Sequence, residues 1–399
     1  MYFESSAQVV VKSRTPIKFW YVYLISVIFY FHTLLVSYTT PTYLSEFVDA
    51  KHIGLLYSIG SIGSLLFFMI LPSILKRLGN FVTTILLMVI SIFTLAMTGV
   101  GVSSILVITG IVLYLVINPL IYLNLDIFSE TLIGKNEGQT GHVRGLTLSL
   151  MSLAALLAPL TISYVVGAGD NLSQLYFIAI GVGAVFSVVV ISKFKHFVDP
   201  LYHRIKLRPL LRQCFHNRAI KLVLSTHFLL QIFFTWTVIY FPLYLASEIN
   251  LPWSTIGGII AAGLLAYVVC EYPIGIIADN YYGEKEMMAF GFLILALAVA
   301  AISFMTTTEM VPWMALMFIS RVGASLVEVT TESYFFKKVD GDDANLMSVF
   351  RLTRPLSVLA GSLLGSLCLA IMPFNLAFLV LACVMVIGLF ITLGIEDTR

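Results

Sequence analysis

Four polar residues, Arg321, Ser325, Glu328 and Glu332, recur at i, i+4, i+7 and i+11 inside an otherwise apolar stretch. That spacing puts them on one face of a helix. A charge held at membrane depth costs about 2.5–3.5 kcal/mol on insertion scales, so such a face looks at protein or water and not at lipid. Two arginines about one turn apart, Arg351 and Arg354, follow in the next apolar stretch. Counted inward from the same end of both stretches, Glu332 matches Arg351 in depth and Glu328 matches Arg354. Structural ion pairs are one reading of this arrangement. The other is a proton carrier, because an acid that alternately keeps and loses its basic partner takes up and gives back a proton.

Weaker ladders of the same kind occur elsewhere. Tyr114, Asn118, Tyr122 and Asp126 follow one another at four-residue steps, His227, Gln231 and Thr235 do the same, and Thr33, Ser37 and Thr40 lie beside His32. In hydrocarbon such stripes face other helices or an aqueous cavity, and hydroxyls and amides also serve as plain interhelical contacts. Trp236 and Tyr240 offer flat apolar walls for a solute, or ordinary packing. His32 has the ordinary imidazole range that suits proton exchange, or it is a hydrogen-bonded packing residue. Glu271 is a further intramembrane acid with no partner evident in sequence.

The elements that must hold these residues are set by composition. Of the 399 residues 59% are hydrophobic and only 11% charged, which places the chain outside the range of water-soluble domains. Apolar runs of about 20 residues recur, each long enough to cross the hydrocarbon as a helix. Spans are expected at 19–40, 53–74, 80–102, 104–128, 145–167, 173–192, 222–245, 254–277, 286–306, 311–335, 345–370 and 373–394. The fold class is therefore all-α integral membrane, with twelve transmembrane helices. No cleavable leader is expected, since the polar residues 1–18 run straight into a full-length span.

A polar segment, 193–221, divides the spans six and six and carries eight basic residues against the single acid Asp199. The expected organisation is an N-terminal bundle over 1–192, a basic linker over 193–221 and a C-terminal bundle over 222–399. The halves are pseudo-symmetric at an offset of roughly 200 residues. Pro41-Thr42-Tyr43-Leu44 recurs as Pro242-Leu243-Tyr244-Leu245, and Asp126 has its counterpart in Glu332. Of 23 basic residues, 19 fall on the side of the termini and the linker, one (Lys51) on the other and three inside spans. The positive-inside rule puts both termini and the linker in the cytoplasm; the plasma (inner) membrane is the expected location.

The segment Gly275-Ile276-Ile277-Ala278-Asp279-Asn280-Tyr281-Tyr282-Gly283-Glu284-Lys285, set after span 8 of a six-plus-six chain with a long basic loop, resembles the major facilitator superfamily, whose loop signature is G-x-L-A-D-R-x-G-R-R. The resemblance implies alternating access by two rocking six-helix halves, with spans 1, 4, 7 and 10 lining the pathway. It also implies a cytoplasmic gate in which Gly275, Asp279 and Gly283 meet the start of span 5. Asp126 followed by Arg144-Gly145 is similar to sugar-type members, whereas Gly145, Ala154, Ala158 and Pro159 resemble the antiporter motif G-x8-G-x3-G-P. Uptake of a metabolite and multidrug-type export both stay open.

The expected function is secondary transport of a small organic solute coupled to protons. Its pathway residues are His32, Thr33, Ser37, Tyr114, Asn118, Tyr122, Gln231, Thr235, Trp236, Tyr240, Arg321 and Ser325. Its coupling residues are Glu328, Arg354, Asp126, Glu332 and Arg351. No P-loop, metal-ligand spacing or nucleophile motif occurs, so neither enzyme activity nor a cofactor nor a metal is expected. Partners are the solute, protons and the lipid bilayer, with no nucleic acid and a monomeric chain. A non-transporting membrane receptor on the same fold is the rival from another class.

Overall fold

In the computed structural model, residues 17–133, 137–167, 171–202, 216–280, 282–338 and 344–396 are described, with the side chains of 133, 137–149, 279–280, 336, 344–349 and 351 excepted. The described residues are built from helices: α1 (Trp20–Ser37), α2 (Thr40–Ser45), α3 (Ala50–Val100), α4 (Ser104–Ile133), α5 (Glu137–Val166), α6 (Ser173–Phe194), α7 (Arg218–Ser247), α8 (Trp253–Asn280), α9 (Glu284–Ile302), α10 (Met310–Lys338), α11 (Ala344–Ile371) and α12 (Phe374–Leu393). Ten of the helical segments are long and apolar enough to cross a membrane, α1 and α2 together counting as one. α5 adds a shorter apolar stretch, Leu150–Val166. The remaining crossing is hidden in α3, which breaks at Gly79 (φ 76°, ψ 165°) into two arms. That backbone region is essentially closed to any residue with a Cβ, so the chain turns where the sequence places a glycine.

Side chains are sorted as a bilayer requires. Phe93, Met69, Phe304 and Phe390 point outward, while Asn80, Asn124, Thr226 and His227 are buried. Apolar side chains gain nothing from leaving one hydrocarbon environment for another, so close packing and hydrogen bonds hold the helices together. Pro72, Pro119, Pro159, Pro242, Pro273 and Pro355 sit within helices, as membrane-spanning helices tolerate.

By contact the chain forms two compact units. The first comprises residues 1–47, 59–158 and 171–205. Its centre packs Phe29 of α1, Ile121 and Phe128 of α4 and Phe186 and Phe194 of α6. An amide clamp joins α3 to α4: Asn80 Nδ2 donates to the Asn124 carbonyl at 2.9 Å, and Asn124 Nδ2 donates to Thr84 Oγ1 at 3.1 Å. Asp199, the one acid of the basic segment, turns back onto the break in α3. Its Oδ1 accepts from the Asn80 amide at 2.6 Å and from the Tyr202 hydroxyl. Burial, and then the Asp199 carboxylate beside it, push the Tyr202 phenol upward, so it stays a donor.

The second unit comprises residues 48–58, 159–170 and 206–399. Here α9 and α10 touch backbone to backbone. A Cβ on Gly291 would lie 2.8 Å from the Gly323 carbonyl, and one on Gly323 would lie 2.9 Å from that of Gly291. α7 is fixed to α11 by Trp236 Nε1, which donates to the Gly361 carbonyl at 2.9 Å, and by the Tyr240 hydroxyl, which donates to that of Ser362 at 2.6 Å.

Candidate functional site: the polar face of α10

The four residues of the α10 ladder do share a face. Arg321 is 3% exposed and Ser325 fully buried, while Glu328 and Glu332 are half-buried. Around Arg321 three rings form a box: the guanidinium carbon lies 5.3 Å from the Phe233 centroid, 5.7 Å from Phe234 and 5.8 Å from Tyr267. Cation–π contacts of this kind give about 0.5–2 kcal/mol each, which offsets much of the cost of placing the charge at this depth. Nη1 donates to the Tyr267 hydroxyl at 3.4 Å. Nε, Nη2 and Ser325 Oγ have no partner among the described residues.

Below the box lies the acidic part of the face. Tyr267 and Glu271 are one turn apart on α8, and the Tyr267 hydroxyl is within electrostatic reach of Arg321, Glu328 and Glu271. Glu328 in turn feels Glu332, Arg354, Glu271 and Arg321. Three carboxylates are thus set against two guanidinia on α8, α10 and α11. Like charges this close disfavour simultaneous ionisation of every acid, and proton occupancy is the property such a cluster can change. Arg354 is exposed and makes no direct ion pair with Glu328 or Glu332 among the described residues, although both sense its charge. The Arg351 side chain lies outside the described residues. Among the described residues no group of three His, Cys, Asp or Glu side chains is placed to hold a metal.

The ladder on α7 becomes a hydrogen-bond chain. Thr353 Oγ1 donates to the Phe350 carbonyl at 2.5 Å, which leaves the hydroxyl as acceptor for His227 Nδ1 at 2.7 Å. His227 Nε2 then accepts from Gln231 Nε2 at 3.2 Å. This accounting assigns a neutral Nδ1–H imidazole, stacked at 4.0 Å on Phe350. Thr235 donates to the Gln231 carbonyl. Trp236 and Tyr240 are fully buried with their polar atoms committed to α11, so they pack α7.

In the first unit Thr33 Oγ1 is bonded to the Phe29 carbonyl and, at 3.3 Å, to Asn118 Oδ1; Ser37 donates to the Thr33 carbonyl. His32 turns away from that pair. Its Nδ1 donates to the Ala179 carbonyl of α6 at 2.8 Å, its ring stacks on Phe29, and Nε2 has no partner among the described residues. Tyr114 is buried beside His32, Tyr122 lies edge-on to Phe29, and Asp126 is half-buried. Of the expected gate, the side chains of Asp279 and Arg144 lie outside the described residues. Gly275 sits in α8, and Gly283 precedes α9 with an extended backbone.

Sequence reasoning passed over Tyr267, Phe233, Phe234 and Glu284. Tyr267 carried one usable signal, its i, i+4 relation to Glu271. Glu284 opens α9, is 1% exposed, and accepts from Ser333 Oγ at 3.0 Å and from Lys337 Nζ, both on α10. It occupies a helix N-terminus, where a carboxylate is favoured.

Helices of this length and polarity, sorted with charged groups inward and apolar groups outward, define a multi-pass integral membrane protein. The sequence matches the Major Facilitator Superfamily over residues 136–340 and, in an overlapping match, over 223–398, and the chain belongs to that family. It is therefore a transporter and not an enzyme. No curated protein matches the sequence. Among solved structures, a POT family transporter in complex with 5-aminolevulinic acid is 12% identical and superposes with a TM-score of 0.76, covering 96% of each chain. The nucleoside transporter NupG is 16% identical with a TM-score of 0.71, covering 94% of this chain and 98% of that one. A bacterial homologue of the iron transporter ferroportin, in an inward-facing state, is 14% identical with a TM-score of 0.70, covering 94% and 98%. At these identities the likeness is one of fold.

Proposed function

We propose that the chain is a secondary active transporter that moves a small organic solute by alternating access, driven by a proton gradient. Its structural neighbours include a nucleoside transporter, a homologue of an iron transporter and a POT family transporter in complex with a conjugated peptide, so the reading rests on this chain's own side chains. One observation carries it: Glu271, Glu328 and Glu332 lie within electrostatic reach of one another, and Glu328 and Glu332 of Arg354, on helices long and apolar enough to cross a membrane. A cluster with fewer counter-charges than acids is suited to gaining and losing a proton.

In this reading Glu328 is the coupling group, with Arg354 as the charge it meets in one state and loses in another; Glu332, Arg351 and Asp126 are its auxiliaries. The solute passes the polar residues of α1, α4, α7 and α10. The bundles 1–192 and 222–399 are the rocking bodies, the segment 193–221 links them, both termini lie in the cytoplasm at the plasma membrane, and the chain works as a monomer. Asp279, with Gly275, Gly283 and Arg144, supports the cytoplasmic gate. Asp279→Asn should then slow transport while equilibrium affinity stays within a few fold, and normal turnover in that variant would remove the gate.

Glu328→Gln imitates the protonated acid. In proteoliposomes it should abolish accumulation driven by an imposed pH gradient and preserve exchange between labelled and unlabelled solute. Full pH-driven accumulation in the variant would refute the assignment.

A further inference from the structure

We propose that the Arg321 box is a binding site for the carboxylate of a solute that carries one negative charge and an apolar or aromatic body. This inference rests on the transport reading above and adds the class of cargo to it.

The atoms of the guanidinium differ in what they hold. Nη1 faces the Tyr267 hydroxyl, and the three rings of Phe233, Phe234 and Tyr267 lie close around the group. Nε and Nη2, without a partner among the described residues, are the two nitrogens of one edge. That edge is the fork which takes a planar carboxylate side-on through two parallel hydrogen bonds. A buried guanidinium whose unpartnered donors form that edge is complementary to one ligand geometry above others. Ser325 Oγ, one turn along the same face and also buried without a partner, supplies a third polar atom for the same group.

Charge narrows the class. Glu328 lies within electrostatic reach of Arg321, and Glu271 within reach of the Tyr267 hydroxyl that Arg321 holds. A single arginine balances one negative charge, and a dianion such as phosphate would meet those acids with its second charge uncompensated. Phe233 and Phe234 provide the apolar contact that completes a site of a few polar groups among aromatic walls. Gly263 of α8 lies against the arginine stem, where a Cβ would stand 3.3 Å from Arg321 Cγ. The stem is thus held in place and the fork is the working end.

The test uses the purified full chain in nanodiscs and a panel of matched probes: acetate, lactate and benzoate, each with its amide, together with benzylamine and inorganic phosphate. Ligand binding to the native state is read as a rise in unfolding midpoint and then titrated. At least one carboxylate should stabilise the protein more than its amide does, with benzoate ahead of acetate, and phosphate should not. Arg321→Lys keeps the charge and loses the fork, and should weaken that carboxylate about 10–100-fold, the loss of one charge-assisted bond. Arg321→Gln should abolish the preference. Phe234→Leu, which keeps the fork and removes a wall, should lower the advantage of benzoate over acetate.

Equal stabilisation by acid and amide, stabilisation by phosphate alone, or an unchanged carboxylate affinity in a folded Arg321→Lys protein would each overturn the proposal. Glu328→Gln separates it from the coupling reading. Carboxylate binding that survives in that variant while pH-driven uptake continues unaltered removes the coupling role and leaves the site. Proton-driven transport with no carboxylate preference removes the site and leaves the coupling.

Discussion

Removing the methyl-free position at Gly79 and the carboxylate that folds onto it should reveal one coupled device. Gly79→Ala forces a Cβ into a backbone region that costs about 1–3 kcal/mol for any residue but glycine. The same Cβ would stand 2.5 Å from Asp199 Oδ2, so the carboxylate must leave the Asn80 amide. Loss of that cap contributes about 1 kcal/mol more. Asp199→Ala alone gives up the bonds to the Asn80 amide and the Tyr202 hydroxyl, about 2 kcal/mol in all, since bonds to charged groups lie near 1.5–3 kcal/mol each and Asp199 is exposed. The double variant should therefore be less damaged than the sum, by about 1 kcal/mol, because the methyl has nothing left to displace. Asp199→Asn, which retains an acceptor oxygen, should cost about half as much as Asp199→Ala. Denaturation in mixed micelles across the four proteins of the cycle measures the coupling. If Gly79→Ala costs the same in both backgrounds, within about 0.5 kcal/mol, the cap is not what the glycine protects.

Thr353→Val removes the acceptor for His227 Nδ1 and should destabilise the protein by about 1–3 kcal/mol, with Thr353→Ser restoring most of it; equal thermal midpoints for Val and Ser would break the hydrogen-bond chain. Glu284→Gln should cost about 1–3 kcal/mol through its contacts with Ser333 and Lys337, whereas Glu286→Gln, exposed two residues later, should stay within about 0.5 kcal/mol. In a background lacking Cys214, Lys51→Cys should react with an impermeant external thiol reagent in intact cells and Lys206→Cys should not, and the reverse pattern would invert the proposed topology.

The membrane-spanning helices were legible because each must be about 20 apolar residues long, a constraint written locally in the chain. The α10 ladder was legible for a related reason: Arg321, Ser325, Glu328 and Glu332 are neighbours by helical period alone. What surrounds Arg321 was not. Phe233, Phe234 and Tyr267 come from α7 and α8, and in a chain with 29 phenylalanines and 19 tyrosines nothing local separates a ring of the box from one that packs. Asp199 read as a lone acid in a basic loop until the chain was seen to fold it back 119 positions onto Asn80. Trp236 and Tyr240 sat at the right depth for a solute wall, yet both spend their polar atoms on α11. Which way a side chain commits its one hydrogen bond is decided between helices, not along them.

The backbone contact between Gly291 and Gly323 has a mechanical side. Two residues on either side of Gly323 stand Arg321 and Ser325, so the weld between α9 and α10 lies at the depth of the box itself. Packing this close leaves no room for a Cβ on either helix at the contact, so spinning or sliding α10 against α9 would press side chains of the neighbouring positions into the facing backbone. The contact favours α9 and α10 moving as one body, with the charged face of α10 keeping its bearing on α9. Movement that changes the surroundings of Glu328 has to come from the elements opposite, α8 and α11, or carry α9 and α10 together as one stiff plate.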